Sequence, residues 1–245
     1  MDYKESTYHG YRRWDFTFED RQATVVFPKE PAAGKNWLLK TEYFEAFPAF
    51  ELEMVARGYH LAYLSNITRW YVEDDAHSKA RFAAFLQAEF GLAEKCVPVG
   101  MSCGGMHATY FAAEHPERVA VLYIDAPVLN LLSCPCGVGV ALDQAAMYDE
   151  FVSHTGKTVS DMINYRNHPI DRVDEIIAAR IPVALVCGGS DTVVPYSENG
   201  AHFAQKYRCA GLPFLEITKP ECAHHPHGLE DNTPLIEFVT KYYEC

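Results

Sequence analysis

Residues 97–105 read VPVGMSCGG, an apolar run that ends in a serine boxed by glycines, Gly100-Met101-Ser102-Cys103-Gly104. The spacing G-x-S-x-G lifts a hydroxyl above the edge of a sheet on a tight strand-to-helix turn, where a Cβ has no room. A helix starting just after the serine aims its N-terminus at it, and the free N–H groups there favour a developing oxyanion. The backbone N–H of Cys103 is the first candidate donor. A serine used as a nucleophile needs a base, and the base needs an orienting acid. Two later stretches offer them: CGGSDTVVP, residues 187–195, carries Asp191 past one apolar run, and KPECAHHPHG, residues 219–228, carries His224, His225 and His227 past another.

Each of these residues has a plainer reading beside it. Asp191 also reads as a turn residue capping the next helix. Asp125, in YIDAP, ends the preceding apolar run and is the alternative acid. His224 stands first after its run, with His225 and His227 supporting the loop or meeting substrate. A metal site of His224, His225, His227 and Cys222 is the rival reading, although no recognisable zinc spacing accompanies it. CPC at 134–136 is one residue short of C-x-x-C, which weakens a redox or zinc reading. His107 reads as a packed or surface histidine, and His115, before Pro116, as a helix end.

The elements that must position these groups follow from the hydrophobic pattern. WDFTFEDRQATVVFP alternates and then turns continuously apolar, as an edge strand or hairpin leading into a buried strand does. YHLAYLSN, KCVPVGM, VAVLYIDAP, IPVALVCGG and LPFLEITKP are short apolar runs bounded by turn residues, which fits strands of a parallel sheet buried on both faces. Between them, Phe82, Phe85, Leu86 and Phe90 form one helical face, with Gly91 as a C-cap glycine. GGMHATYFAAEHPERV and the terminal PLIEFVTKYYEC are further helices. Strand and helix in alternation predict an α/β fold, a mostly parallel central sheet with helices on both faces. About fifty residues separate YIDAP from IPVALV, far beyond an ordinary α/β loop. They predict a small helical cap, an insertion at about 128–178 in one domain spanning 1–245.

The chain has 245 residues, 49% hydrophobic and 22% charged, with a formal net charge of −12. That field repels phosphate backbones and argues against nucleic acid as a partner. The N-terminal residues lack the apolar core of a signal peptide, and no run reaches the length of a membrane span. The expectation is a cytoplasmic protein with no membrane partner, whose eight cysteines are reduced thiols packed as small hydrophobes. By the same reasoning, NIT at 66–68 is a chance sequon.

Taken together, GMSCGG, GGSDTVVP and HHPHG resemble the nucleophile elbow, acid loop and histidine loop of the α/β-hydrolases, in that family's order of Ser, Asp, His. The likeness runs from about residue 14 to the C-terminus and points to the esterase and prolyl-oligopeptidase-like branches. The resemblance implies Ser102 as nucleophile, Asp191 as orienting acid and His224 as general base, with no cofactor. It also calls for a second oxyanion donor after an early strand; where many esterases carry HGG this chain has FPKEPAAGKNW, and a backbone N–H near Lys29 is the candidate. Trp37, Tyr43 and Phe44 follow and are candidates for a pocket wall, or for core. The implied activity is cleavage of carboxylic esters of small molecules or carbohydrates through an acyl-enzyme. A peptidase of this kind usually adds a large gating domain, for which 245 residues leave no room. Thioester or amide cleavage, and a non-catalytic ligand-binding protein on the same scaffold, are the alternatives. A second copy of the chain is a candidate partner.

Overall fold

The computed structural model describes residues 2–70 and 74–243. The alternation in its first strands folds as expected. β1 (Lys4–Tyr8), β2 (Tyr11–Phe18) and β3 (Arg21–Phe27) form an antiparallel meander. Glu19 and Asp20 make the β2–β3 turn, both at positive φ (49° and 61°), as the type I′ two-residue hairpin loop requires.

From here the chain alternates. β4 (Trp37–Lys40), β5 (His60–Leu64), β6 (Val97–Met101), β7 (Leu122–Asp125), β8 (Val183–Gly188) and β9 (Phe214–Lys219) run parallel in one nine-stranded sheet, ordered β1-β2-β3-β5-β4-β6-β7-β8-β9. β3 meets β5 antiparallel, so the end of β3 lies beside the start of β5, with Val26 opposite Leu61.

Successive residues of the buried strands feed opposite faces. Leu39, Ala62, Ile124 and Leu185 pack on one side with α2 (Asp74–Phe90), α3 (Cys103–Glu114) and α7 (Gly200–Ala210). Leu38, Leu61, Val97 and Val186 pack on the other with α1 (Ala49–Ala56) and α8 (Thr233–Tyr243). This is the expected α/β architecture, mostly parallel with helices on both faces. In α2, Phe82 and Leu86 are fully buried while Phe85 and Phe90 flank the core, and Gly91 closes the helix at φ +65°. The amphipathic signal missed β1 and the four-residue β4, and it missed α1 and α7.

The segment expected as a cap divides in two. α4 (Ala145–Thr155) and α5 (Val159–Asn164) bring Phe151 and Met162 into a separate cluster with Trp70, Cys103, Met106, Val128 and Leu131. α6 (Val173–Ala178) instead sinks Val173 and Ile176 into the main core beside α3 and α7. The lid-like part therefore ends before α6, because Val173 and Ile176 complete the layer under the sheet.

Candidate active site

The turn at Ser102 is built by its neighbours. β6 ends at Met101, α3 begins at Cys103, and Ser102 between them sits at φ 54°, ψ −121°, a backbone conformation that costs energy for any L-residue. The strain is held from both sides: Ser102 N–H donates to the Asp125 carbonyl (3.0 Å), and the Ser102 carbonyl accepts from Val128 N–H (3.0 Å). Gly100 is required here, since a Cβ at this position would fall 2.2 Å from the Gly104 carbonyl oxygen.

Asp191 lies in the loop after β8 and His224 in the loop after β9, both buried. The two loops touch closely: a Cβ on Gly188 would lie 2.3 Å from the Ala223 carbonyl oxygen, and Ser190 N–H donates to the Cys222 carbonyl (3.0 Å). Asp191 Oδ1 accepts the backbone N–H groups of Val193 and Val194 (2.9 Å each). Its Oδ2 lies 2.7 Å from His224 Nδ1, and His224 Nε2 lies 3.0 Å from Ser102 Oγ. With Nδ1–H donated to the carboxylate, Nε2 carries the lone pair that faces the serine hydroxyl. Residues scattered across more than a hundred positions thus meet in one hydrogen-bonded line. The turn reading of Asp191 also holds, through its other oxygen, but the helix-capping reading does not: the next helical turn, Tyr196–Glu198, starts after Pro195 with no side-chain cap.

The competing residues have separate tasks. Asp125 does not reach His224; its Oδ1 lies 3.0 Å from His227 Nδ1, and its Oδ2 accepts Gly228 N–H (2.7 Å). His225 is exposed and stacks on Phe47, ring centroids 5.6 Å apart. His107 is buried, its Nε2 3.0 Å from the Arg69 carbonyl oxygen. His115 is the C-cap residue of α3. Asn66 of the NIT triplet turns its amide inward, donating to the Thr41 carbonyl (2.7 Å) and to Glu42.

Cys103 contributes the first backbone N–H of α3, one of the four a helix leaves without an intrahelical partner. Its buried side chain is a thiol, not a thiolate, because burial pushes it up to about 11.

Two sequence expectations fail. Lys29 follows β3, which runs opposite to the parallel strands, so Lys29 is exposed at the far edge of the sheet, its Nζ 5.9 Å from the Tyr11 ring centroid. It has no access to Ser102. Trp37 opens β4 opposite His60 and is wholly buried, with Nε1 donating to the Ala93 carbonyl (2.9 Å); it is core. The loop that does reach the serine follows β4. Thr41 Oγ1 donates to the Gly104 carbonyl (2.7 Å), Tyr43 takes φ 54°, and Tyr43 faces the cavity over Ser102. Phe44 stays in the core.

That cavity, of about 330 Å³, is walled by Tyr43, Phe47, Arg69, Met147 and Val193 around Ser102 and His224. Arg69 is bidentate to Glu150 of α4, with Nε 2.8 Å from Oε1, so the cap helix is tied to the site by a charge pair. Burial, then the neighbouring Cys103, raises the Tyr43 phenol far above its ordinary range. It is an O–H donor at any working pH. Phe47, Arg69, Met147 and Glu150 carried no local motif; only the fold brings them here.

The prolyl oligopeptidase family model, Peptidase_S9, matches residues 58–244. The chain belongs to the prolyl oligopeptidase family. This is a family of α/β-hydrolase serine hydrolases, and the match covers the elbow and both loops. Among solved structures, the chain is similar to a putative dipeptidyl aminopeptidase IV from Bacteroides ovatus (TM-score 0.65, 14% identity, 95% of this chain and 35% of that one). It is also similar to an acylaminoacyl peptidase from Pyrococcus horikoshii (TM-score 0.62, 14% identity, 91% of this chain and 37% of that one). A puromycin hydrolase matches over 99% of this chain and 38% of its own, with TM-score 0.63 and 18% identity. The chain therefore spans little more than a third of the length of each. No curated protein sequence matches it.

Proposed function

We propose that this family member is an acyl hydrolase that cleaves small peptide-like amides through an acyl-enzyme on Ser102. The observation that carries the reading is the continuous line from Asp191 through His224 to Ser102 Oγ, at 2.7 and 3.0 Å. Ser102 Oγ attacks the carbonyl carbon while His224 Nε2 takes the hydroxyl proton; Asp191 holds the ring and stabilises the imidazolium. The Cys103 N–H and the Tyr43 phenol stabilise the oxyanion, each donor contributing roughly 3 kcal/mol. His224 returns the proton to the leaving amine, and water then attacks the acyl group by the same route. No cofactor enters these steps.

The family match and the peptidase names of the similar structures support an amide. The second reading is a carboxylic ester of a small molecule or carbohydrate. Tyr43 and Phe47 favour it, because aromatic walls stack on sugar rings and phenolic groups, and the cavity of about 330 Å³ suits a compact acyl group. A non-catalytic binding protein has no need for a strained serine aligned with a buried His-Asp pair. Parallel assays on aminoacyl p-nitroanilides, p-nitrophenyl esters and acetylated sugars separate the readings. Amide turnover that disappears in Ser102→Ala supports the first; turnover of esters alone supports the second, and turnover surviving in Ser102→Ala contradicts both.

A further inference from the structure

Two of the three histidines at the cavity are prepared alike. His224 Nδ1 lies 2.7 Å from Asp191, and His227 Nδ1 lies 3.0 Å from Asp125, with both carboxylates and both rings buried. A carboxylate on Nδ1 fixes the tautomer, so each ring presents an Nε2 lone pair. In His224 that lone pair faces Ser102. Acyl transfer gives the His227 lone pair nothing to do.

His225 stands between them, exposed and stacked on Phe47. The three ring centroids lie 4.8, 5.0 and 4.9 Å apart, and one ligating nitrogen from each lies within 4.8 Å of the others. One imidazole suffices for hydrolysis. Three converging imidazoles, two of them backed by buried carboxylates, make the donor set and outer shell of a transition-metal site.

We propose that His224, His225 and His227 form an inhibitory site for a transition-metal cation of the Zn²⁺ class, and that filling it switches the hydrolase off. The proposal rests on the reading of Ser102 and His224 as nucleophile and base. Zn²⁺ takes the His224 Nε2 lone pair, which removes the acceptor of the Ser102 proton. Tetrahedral binding at about 2.05 Å brings the nitrogens about 3.3 Å apart, a closure that needs the exposed His225 side chain to rotate and the His224 and His227 rings to draw together. Asp191 and Asp125 supply compensating charge, and the cavity's cation, Arg69, is already paired with Glu150. The Cys222 thiol is not in the group; it lies 3.7 Å from the His225 and Pro226 carbonyl oxygens.

A second group, His77, Glu114 and His115, would also draw the ion, so the test uses the full chain carrying His77→Ala and His115→Ala. The rate at which a fluorophosphonate labels Ser102 is followed with increasing Zn²⁺, and Zn²⁺ binding to the Ser102→Ala form is measured by calorimetry. The expected result is 1:1 binding and protection of Ser102 at micromolar Zn²⁺, reversed by chelator and not reproduced by Mg²⁺. His225→Ala, compared with its own metal-free rate, should need at least about tenfold more Zn²⁺ for half-protection. Unchanged labelling at millimolar Zn²⁺, or equal protection in His225→Ala, overturns the proposal. Absence of labelling without metal sinks the hydrolase reading and the switch with it; calorimetry then decides the metal site alone, 1:1 binding upholding it and no binding overturning it.

Discussion

Asp125 holds His227, not His224: its carboxylate lies 3.0 Å from His227 Nδ1 and accepts Gly228 N–H at 2.7 Å. Adjacent strands, β7 and β8, thus present two carboxylates to one loop, and each anchors a different histidine. Asp191 is assigned to orienting the base, and Asp125 to fixing the loop that carries it. Asp191→Asn should lower kcat by about 10⁴-fold through loss of the productive tautomer. Asp125→Asn keeps the Asp191–His224 contact and should cost far less, on the order of 10- to 100-fold. Steady-state kinetics of both variants checks the ordering, and equal losses would contradict the division of labour.

The elbow should tolerate no side chain at Gly100. A Cβ there meets the Gly104 carbonyl oxygen at 2.2 Å and its carbon at 2.5 Å, both rigid backbone atoms of α3. Gly100→Ala should destabilise the fold by about 3 kcal/mol, at the upper end of overpacking costs, read as a lower urea midpoint.

Arg69 and Glu150 should be coupled, because their bidentate pair links the loop after β5 to α4 over the cavity. Both side chains are about one-third exposed, so a double-mutant cycle of Arg69→Leu and Glu150→Gln should give a stability coupling of roughly 0.5–1 kcal/mol. The same variants should raise KM more than they lower kcat, since Arg69 lines the cavity and Glu150 holds it there without either touching the reacting atoms.

Stability should fall as pH drops from 6.5 toward 4. Burial pushes His107 down to about 3, with Lys79 nearby adding to it, and pushes His60 down to about 4. Their ordinary value is 6.5, so in this window the unfolded chain binds protons that the folded one refuses. Each histidine makes a contribution that is full above about 6.5 and is lost at up to about 1.4 kcal/mol per pH unit below it. His107→Gln should flatten the fall of Tm with pH; an unchanged slope would show that His107 takes up its proton in the folded state.

The hydrogen-bonded line of Ser102, His224 and Asp191 was legible because each residue sits in a short motif at a strand end, where local turn chemistry is strict. Lys29 was misplaced because a motif does not reveal strand direction: β3 is antiparallel to its neighbour β5, which sends its following loop to the wrong edge. For Trp37 the sequence left pocket wall and core both open, because the four residues of β4 are too short a run to show which face they feed; the core reading holds. The Asp125–His227 contact and the Arg69–Glu150 pair span 102 and 81 residues, with no periodicity to announce them. α6 read as cap because helix patterns alone do not say which layer a helix joins.

The central claim is that His224 activates Ser102, and covalent labelling by a fluorophosphonate probe, read by intact and peptide mass spectrometry, tests it most directly. One adduct per chain, located on Ser102 and lost in both Ser102→Ala and His224→Ala, is the predicted result. Absence of an adduct, or one on another residue, would contradict the account.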